Sequence, residues 1–281
     1  MNRIITLTTD FGLSDGFVGA MKGVIFSINP DATIVDITHD IAPQNIEQGA
    51  FLFASAFRFF PANAIHVVVV DPGVGTARRA IAMQIGETFF IAPDNGVLTF
   101  ANSKFLVSGQ NPDAAEQSKI ENQQSIIFTV HLNRPQFFLP RVSHTFHGRD
   151  IFAPVAAHLS RGIPLAALGD PIDDWMRLAI AMPTRDANGA LNGKVVHIDR
   201  FGNAITNIAA EMLAGFERAE IEIAGRVIRD LRATYADGAP GELIALISSS
   251  GHLEIATRDV HAATSLHIAI GVPVRVLPKR K

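Results

Sequence analysis

An almost unbroken apolar run, Ala64-Ile65-His66-Val67-Val68-Val69-Val70, is followed at once by Asp71-Pro72-Gly73. A short valine-rich run that ends in turn residues is typical of a β-strand buried on both faces, as in a parallel sheet. Upstream, the strand-like runs Ile4–Thr8 and Thr33–Thr38 alternate with segments of helical periodicity. Strands and helices in alternation predict a parallel sheet with right-handed crossovers, and therefore an α/β fold.

The two helical segments are Phe17–Ile28 and Ile46–Phe60. In the first, apolar residues recur at intervals of three and four, and Asn29-Pro30 ends the pattern. Ser14 or Asp15 is expected to cap this helix at its N-terminus. Two further strand-like runs fill residues 79–93.

The sequence changes character near residues 183–189, where polar residues and glycine form a linker. Beyond it, one short helical segment is predicted near Ile208–Phe216, and the strand-like runs are Lys194–Ile198, Glu220–Ile223, Leu243–Ile247, Leu253–Ala256 and Leu266–Val276. Short strands separated by turn residues suggest a small β-barrel or sandwich. We therefore predict an N-terminal parallel-sheet α/β domain over residues 1–182 and a C-terminal β-barrel domain over residues 190–281. The polar residues 102–124 are interpreted as a surface excursion.

Composition excludes several classes of protein. The 281 residues carry a formal net charge of −3 and contain no cysteine. No general positive field is present to attract nucleic acid, and disulfides, thiolate nucleophiles and cysteine-ligated metals are impossible. No signal peptide is recognisable, and no apolar run approaches the length that spans a bilayer. We expect a cytoplasmic protein that binds neither nucleic acid nor membrane.

Polar residues follow each predicted strand of the first domain directly. These are Asp10, the stretch Thr38-His39-Asp40, and Asp71. Ligands of parallel α/β sheets bind outside the carboxyl ends of the strands. The strand ends therefore predict a ligand site, although the residues around Asp10 also suit a simple helix cap.

The loop Asp71-Pro72-Gly73-Val74-Gly75-Thr76-Ala77-Arg78 is the most informative segment. Its two glycines permit close approach of a ligand to the backbone. The loop lacks the third glycine of a dinucleotide fingerprint and the lysine of a P-loop, which disfavours redox-cofactor and ATP sites. Asp71 and Arg78 would form either an ordinary salt bridge or a carboxylate kept ionised to orient water.

A second cluster, His144-Thr145-Phe146-His147-Gly148-Arg149-Asp150, precedes another predicted helix. The two histidines have the spacing of a metal pair, but no further ligand stands at a familiar spacing, and no metal is expected. Arg149 and Asp150 suit a structural ion pair. His147 is then the side chain most available for acid–base or orienting work.

Two turns in the second domain carry polar side chains. Asp199-Arg200-Phe201-Gly202-Asn203 follows a predicted strand, and Ser248-Ser249-Ser250-Gly251 follows another. Hairpin turns explain both stretches as well as ligand binding does. Trp175 and Tyr235 are isolated aromatics, so a stacking platform for single-stranded nucleic acid is not expected.

Six motifs taken in order resemble the S-adenosylmethionine hydroxide adenosyltransferase family, the SAM hydrolases, from the N-terminus to about residue 270. The motifs are Thr9-Asp10-Phe11-Gly12, Asp36-Ile37-Thr38-His39, Val70-Asp71-Pro72-Gly73-Val74-Gly75-Thr76, Pro93-Asp94-Asn95-Gly96, Phe146-His147-Gly148-Arg149-Asp150 and Asp199-Arg200-Phe201-Gly202-Asn203. The resemblance implies hydrolysis of S-adenosylmethionine to adenosine and methionine without a cofactor. It also implies a homotrimer whose sites lie between the first domain of one subunit and the barrel of its neighbour.

The resemblance further assigns roles to individual residues. Asp71, Arg78 and His147 would handle the attacking water, and Asp10 would hold the ribose hydroxyls. The implied binding residues of the second domain are Asp199 for the methionine amine, Asn203 for the adenine with Phe201 alongside, Ser249 for the methionine carboxylate and Ala263 for the adenine.

Two alternatives to hydrolysis stay open. Fluorinase and chlorinase are relatives with the same implied fold, so a SAM-dependent halide adenosyltransferase is one of them. Halogenating relatives carry an aromatic residue in place of Asp71 and an arginine near Ser250, and both differences favour water. The other alternative is a nucleoside-binding protein without catalysis, in which Asp71 and Arg78 only stabilise a turn.

Overall fold

A computed structural model describes residues 3–101, 127–179, 182–216 and 218–278. These residues form two compact units, the first ending at Ala179 and the second containing the residues from 182 onward. The interpretation of residues 102–124 as a surface excursion lies outside the described residues.

The first unit is built as the sequence patterns predict, with helices and strands in alternation at its start. Its elements are β1 (Ile4–Thr9), α1 (Phe17–Ile28), β2 (Thr33–Thr38), α2 (Ile46–Ala56), β3 (Ile65–Val69), β4 (Ala80–Ile85), β5 (Thr88–Pro93), β6 (Ile127–Leu132), α3 (Ala153–Ser160) and β7 (Gly169–Ile172). A 3₁₀ turn over Phe57–Phe59 extends α2 almost to the predicted end at Phe60. The α/β class is confirmed.

The sheet of the first unit is mixed, with strand order β2-β1-β3-β5-β4-β6-β7. Strands β2, β1, β3 and β5 pair in parallel, whereas β4, β6 and β7 join as antiparallel neighbours. The predicted parallel sheet is thus correct for the first half only. The difference arises because β4 and β5 form a hairpin through Gly86, and a hairpin cannot make parallel strands.

Strand β3, which contains most of the valine run, is covered by helices on both faces. Val67 and Val69 pack with residues of α1 and α3, whereas Val68 and Val70 pack with Phe53 of α2. Successive side chains of a strand point to opposite faces, so both faces of β3 need apolar residues. The absence of alternation in the sequence is therefore the mark of a strand covered on both sides.

The start of α1 differs from the prediction. Its N-cap residue is Gly16, and no side chain caps the helix. Ser14, Asp15 and Gly16 are exposed and lie in the turn that precedes Phe17. The predicted cap by Ser14 or Asp15 is therefore wrong. Gly16 occupies the N-cap position, so both side chains lie before the residue that could bond the first free N–H groups of the helix.

Strand order places the loop after β3 across the end of β5. Strand β5 lies between β3 and β4, so residues 70–79 must pass over the carboxyl end of β5 to connect them. The Asp94 N–H at that end donates to the Arg79 carbonyl oxygen (2.9 Å). This crossing brings Asp71 and Arg78 to the edge of the sheet where ligands of parallel strands bind.

A π-helical turn precedes α3. It covers Gly148–Phe152, and the Ala153 N–H donates to the carbonyl oxygen of Gly148, five residues earlier. Such one-residue widenings of a helix occur frequently at functional sites. Here the widening begins immediately after His147.

The second unit consists mainly of antiparallel strands. They are β8 (Thr184–Arg185), β9 (Leu191–Ile198), β10 (Ala204–Ala209), β11 (Ala219–Ile223), β12 (Arg226–Arg229), β13 (Leu243–Ile247), β14 (His252–Thr257) and β15 (Pro273–Pro278), with a short helix α4 (Ala262–Ser265). The order is β12-β11-β15-β9-β10-β14-β13, with β8 paired to β9. Contacts between β12 and β13 nearly close the sheet. The predicted small β-barrel is confirmed.

Two segments of the second unit differ from their predictions. The helix predicted near Ile208–Phe216 is instead the end of β10 followed by a 3₁₀ turn over Ala210–Leu213. Ile208, Met212 and Phe216 recur at intervals of four residues, as in a helix, but Ile208 belongs to β10 and the 3₁₀ turn ends at Leu213. The strand predicted to begin at Leu266 begins only at Pro273, because α4 and a turn occupy the preceding residues.

None of the helices within the described ranges is long and apolar enough to cross a bilayer.

Candidate active site

Asp71, Arg78 and His147 form one hydrogen-bonded cluster in the first unit. Arg78 Nε donates to Asp71 Oδ1 (2.9 Å), and Arg78 Nη2 pairs with Asp71 Oδ2. The side chains of Asp71 and Arg78 are only 6% and 10% exposed. A forked contact of this kind fixes the plane of the carboxylate as well as its charge. The ion pair expected from the sequence is therefore present and largely shielded from solvent.

Arg78 also links the carboxylate to the histidine. Its Nη2 lies 2.7 Å from His147 Nδ1, and a guanidinium can only donate. Nδ1 therefore accepts, and in the neutral ring the single proton resides on Nε2. Burial lowers the pKa of His147, and the neighbouring Arg78 charge lowers it further, against weaker opposing effects of Asp71, Asp150 and the Ser143 carbonyl. The ring is neutral near pH 7.

The loop that carries Asp71 is held in shape by its own turns and by Gly75. The Thr76 hydroxyl donates to the Gly73 carbonyl (2.7 Å), and the Val74 N–H donates to the Asp71 carbonyl (3.2 Å). Gly75 has φ +77°, and a Cβ atom there would lie 2.3 Å from the His144 carbonyl oxygen. Only glycine allows the loop to approach the segment that carries His147 so closely.

Asp10 lies at the carboxyl end of β1, in the same unit. Its Oδ2 accepts a hydrogen bond from the Gln44 N–H (2.8 Å). The neighbouring Phe11 ring contacts Phe146 edge-on with a centroid distance of 5.7 Å, and Phe17 contacts both rings. An apolar wall thus adjoins the turn that carries Asp10 and the segment that carries His147.

The remaining charged residues next to His147 are structural, as expected. Arg149 Nε donates to Asp150 Oδ1 (2.6 Å), while the fully buried Asp150 accepts the Ser143 N–H through Oδ2 (2.8 Å). This pair fastens the segment before His147 to the π-helical turn. Within the part of the chain that the structure describes, no group of three or more histidine, aspartate and glutamate side chains could hold a metal ion.

In the second unit, Asp199 and Asn203 belong to one tight turn. Asp199 Oδ1 accepts the N–H groups of Phe201 (2.9 Å) and Asn203 (2.8 Å), and Oδ2 accepts Asn203 Nδ2 (3.0 Å). The Asn203 amide thus uses a nitrogen donor in this turn, and its oxygen is an acceptor outside these hydrogen bonds. Phe201 is 77% exposed at the tip of this turn.

Ala263 lies beside the same turn, whereas Ser249 lies on another. The Ala263 N–H donates to the Gly202 carbonyl (2.9 Å), and Ala263 is buried. Ser249 is exposed in the turn between β13 and β14, where the hydroxyls of Ser248 and Ser250 are 2.8 Å apart. The structure thus brings Asp199, Phe201, Asn203 and Ala263 together and places Ser249 at the end of a neighbouring hairpin.

Sequence reasoning treated Tyr235 as an isolated aromatic and missed its partner. The Tyr235 hydroxyl donates to Glu254 Oε1 (2.6 Å), and Glu254 is only 3% exposed. Burial is the largest cause that raises the pKa of Glu254 and of Tyr235, and the negative charge of Asp199 raises both pKa values further. The pair is therefore near the Asp199 turn. A lone glutamate at a strand position facing a core was the signal that could have indicated it.

Two family models and several known proteins are similar to this chain. Models of the SAM hydroxide adenosyltransferase N-terminal and C-terminal domains match residues 5–169 and 193–275. The (R)-S-adenosyl-L-methionine hydrolase of Salinispora tropica is 38% identical over 97% of each chain, and that of Thermus thermophilus is 34% identical over 98% of this chain and 100% of its own. A fluorinase of an Actinoplanes species is less similar, at 28% identity.

A solved structure supports the same relationship. The crystal structure of an uncharacterized conserved protein from Thermotoga maritima superposes with a TM-score of 0.83 at 33% identity, covering 98% of this chain and 100% of that one. Both domain models match in order, and relatives above 30% identity span almost the whole chain. The chain therefore belongs to the SAM hydroxide adenosyltransferase family.

Proposed function

We propose that this chain hydrolyses S-adenosyl-L-methionine to adenosine and L-methionine by attack of water on ribose C5′. The observation that carries the proposal is the shielded Asp71–Arg78–His147 cluster at the ligand-binding edge of the sheet. Relatives named as hydrolases of this substrate, between 32% and 38% identical over nearly their full length, support it.

The reaction needs little help from the protein at its leaving group. The sulfonium departs as a neutral thioether when water attacks C5′ from the opposite side, so the C5′–S bond breaks as the C5′–O bond forms. One proton is released from the water. What the chain supplies is a positioned and partly desolvated nucleophile. No cofactor is required by this chemistry, and we propose none.

In this mechanism Asp71 accepts the hydrogen bond of the attacking water. Its two oxygens offer about four lone-pair directions, and Arg78 uses one on each oxygen. The remaining directions serve the water. The proton leaves through Asp71 or directly to solvent.

Of the two parts that the sequence suggests for His147, acid–base work and orienting work, its contact with Arg78 favours the second. A histidine that accepts the water proton needs a free nitrogen lone pair, but Arg78 occupies Nδ1. The neutral ring can then only donate through Nε2, to the water oxygen or to the substrate. We propose that His147 orients the nucleophile as a donor and does not act as the general base.

The binding residues divide between the two units. We propose that Asp10 accepts the ribose hydroxyls, that Asp199 binds the methionine amine and that Asn203 binds the adenine, with Phe201 and Ala263 beside it. Ser249 is proposed to meet the methionine carboxylate. The exposed Phe201 ring and the acceptor oxygen of Asn203 suit a flat heterocycle with an exocyclic amine.

The chief alternative is transfer of a halide to the same carbon. A halide held about 4 Å from an ionised Asp71 would be repelled by about 4 kcal/mol at an effective dielectric near 20. Fluorinases are also the less similar relatives. Water is therefore the nucleophile that this cluster favours, and a non-catalytic nucleoside-binding protein would have no need for a shielded, oriented carboxylate.

The nucleophile and the broken bond are tested together by turnover in H₂¹⁸O. We expect adenosine labelled at the 5′-oxygen and unlabelled methionine, measured by mass spectrometry. Molar chloride should give no 5′-chloro-5′-deoxyadenosine, and a chelator should leave the rate unchanged. Label only in methionine, a chlorinated nucleoside, or tight binding without turnover would each contradict the proposal. The relatives from Salinispora tropica and Thermus thermophilus carry the descriptor (R) in their names. The two epimers of S-adenosylmethionine at sulfur should therefore be assayed separately.

We further propose a cytoplasmic homotrimer with sites shared between subunits. The cysteine-free composition suits a reducing compartment, and the family resemblance supports the assembly. In such a trimer Asp10 of one subunit would serve the same site as Asp199 of its neighbour.

Mixed trimers test the shared site. Asp10→Ala and Asp199→Ala chains, each inactive alone, should regain about a third of the wild-type activity in the hybrid trimers that form when they are co-expressed, because a closed ring of the two chain types contains one intact site among its three. Activity of hybrid trimers, isolated through two different affinity tags, measures this. Hybrids without any activity would show that each site is built within one chain.

A further inference from the structure

We propose that His39 is a positioning residue for Asp10, and that it sets the preference of the site for a ribose over a deoxyribose. This inference rests on the proposed function, because it concerns the nucleoside end of the same site. His39 is 4% exposed and belongs to the loop between β2 and α2. No part of the proposed mechanism uses its side chain.

His39 holds the turn that carries Asp10 from both sides of that residue. Its Nδ1 lies 2.8 Å from the Thr9 hydroxyl, and its carbonyl oxygen accepts the Gly12 N–H (2.8 Å). Thr9 Oγ1 in turn accepts the Phe11 N–H (3.2 Å). Thr9, directly before Asp10, and Gly12, two residues after it, are therefore both tied to His39, and the backbone of Asp10 has little freedom.

The direction of the hydrogen bond between Thr9 and His39 follows from the charge beside the ring. An ionised carboxylate can only accept, and Asp36 Oδ1 lies 3.2 Å from His39 Nε2, so the neutral ring carries its proton on that nitrogen. His39 Nδ1 then accepts the Thr9 hydroxyl proton, while Thr9 Oγ1 accepts the Phe11 N–H. Asp36 is itself paired with Lys22 at 2.6 Å. A series of polar side chains thus leads from Lys22 to the turn at Phe11.

The carboxyl group of Asp36 is held in its ionised form. Burial would raise the pKa of its carboxyl, but the hydrogen bonds from Lys22 and His39 outweigh that effect and leave the pKa lowered. An ionised Asp36 fixes the tautomer and the orientation of the His39 ring, as carboxylates do for histidines that support functional sites.

The same loop also fixes the carboxylate of Asp10. The Gln44 N–H that donates to Asp10 Oδ2 comes from a residue with φ +66°, in the left-handed region that non-glycine residues seldom occupy. Such strain persists only where the surroundings impose it. The loop between β2 and α2 therefore controls both the backbone and the side chain of Asp10.

A second buried histidine supplies a matched control. His66 Nδ1 lies 2.7 Å from the Thr6 hydroxyl, on the same strand β1, and His66 is 1% exposed. Burial among phenylalanine rings lowers its pKa to about 3. The two histidines thus share the same partner type and burial, but Thr6 lies inside the strand and Thr9 at its end. A purely structural role for His39 predicts that both behave alike.

The experiment compares binding of adenosine and 2′-deoxyadenosine by titration calorimetry. Wild type should prefer adenosine by about tenfold, the size of one hydrogen bond to a charged group. His39→Leu should lose most of that preference, and Asp10→Ala should lose it as well. His66→Leu should lower the melting temperature but keep the preference for adenosine. His39→Asn, which retains an acceptor near the Nδ1 position, should recover part of it and guards against failure of His39→Leu to fold. With S-adenosylmethionine, His39→Leu should raise KM more than it lowers kcat.

The outcomes separate the inference from the proposed function. If wild type prefers adenosine and both His39 variants keep that preference while Asp10→Ala loses it, the positioning role is wrong and the proposed function stands. If wild type neither binds adenosine nor turns over S-adenosylmethionine, the proposed function and this inference both fail.

Discussion

Asp71→Asn is expected to lower kcat for S-adenosylmethionine by about 10² to 10⁴-fold, the range for loss of a positioned acid–base group. Asparagine keeps the shape of aspartate, but its amide nitrogen would face Arg78 Nη2, so that two donors oppose each other where Oδ2 now accepts. The water would lose its anionic acceptor, and Arg78 would lose one of its two hydrogen bonds to residue 71. KM should change much less, because ground-state binding uses other residues.

A neighbouring ion pair provides the control for this substitution. Asp94 is 6% exposed and accepts from Arg79 Nε (2.7 Å), so it matches Asp71 in burial and partner type but lies outside the proposed cluster. Asp94→Asn should reduce the melting temperature with kcat within about fivefold of wild type. Equal losses of kcat in the two variants, measured on protein of known folded fraction, would show that Asp71 serves stability alone.

Gly75→Ala is expected to reduce kcat/KM by at least about a hundredfold, the effect that a misplacement of about 1 Å can have. The added methyl group would lie 2.3 Å from the His144 carbonyl oxygen, which is backbone and cannot swing aside. The loop must therefore move away from the segment that carries His147. The 2.7 Å contact between Arg78 and His147 would lengthen, although no catalytic side chain has been altered.

Gly86→Ala separates this clash from simple backbone strain. Gly86 also has a positive φ, +59°, but a Cβ atom there would meet nothing within 4 Å. Its substitution should cost about 1 to 2 kcal/mol of stability for the left-handed conformation and leave kcat/KM unchanged. Steady-state rates and melting temperatures of the two variants, measured side by side, test the difference; similar losses of activity would contradict the role assigned to Gly75.

The first half of the fold could be predicted from the sequence because its signals are local. The apolar run 64–70 and the periodicity of 17–28 each describe an element completely, and both were correct. The antiparallel half of the sheet was missed, since strand direction depends on which strands become neighbours and not on their composition. The helix near Ile208–Phe216 was wrong because apolar residues at intervals of four also fit the end of a strand followed by a 3₁₀ turn.

The candidate site was predictable where residues follow strands. Asp10, His39 and Asp71 were all marked by their positions after β1, β2 and β3, yet the sequence could not distinguish the side chain that faces a ligand from one that faces the protein interior. The link from Arg78 to His147 spans 69 positions in the chain, so only the folded structure shows that Nδ1 is occupied. The Tyr235–Glu254 pair was not predicted, because its two residues are also far apart in the sequence and meet only in the folded structure.

The π-helical turn at Gly148–Phe152 makes the direction of His147 depend on the number of residues in the chain. Deleting one residue from this turn would let the helix continue with ordinary spacing into α3, and everything before it would rotate by about 100° around the helix axis, the angle per residue of an α-helix. Helix α3 could keep its buried face while His147 turned away from Arg78. A substitution in this segment alters a single side chain, whereas a gain or loss of one residue would take His147 out of the cluster although the histidine itself is still encoded.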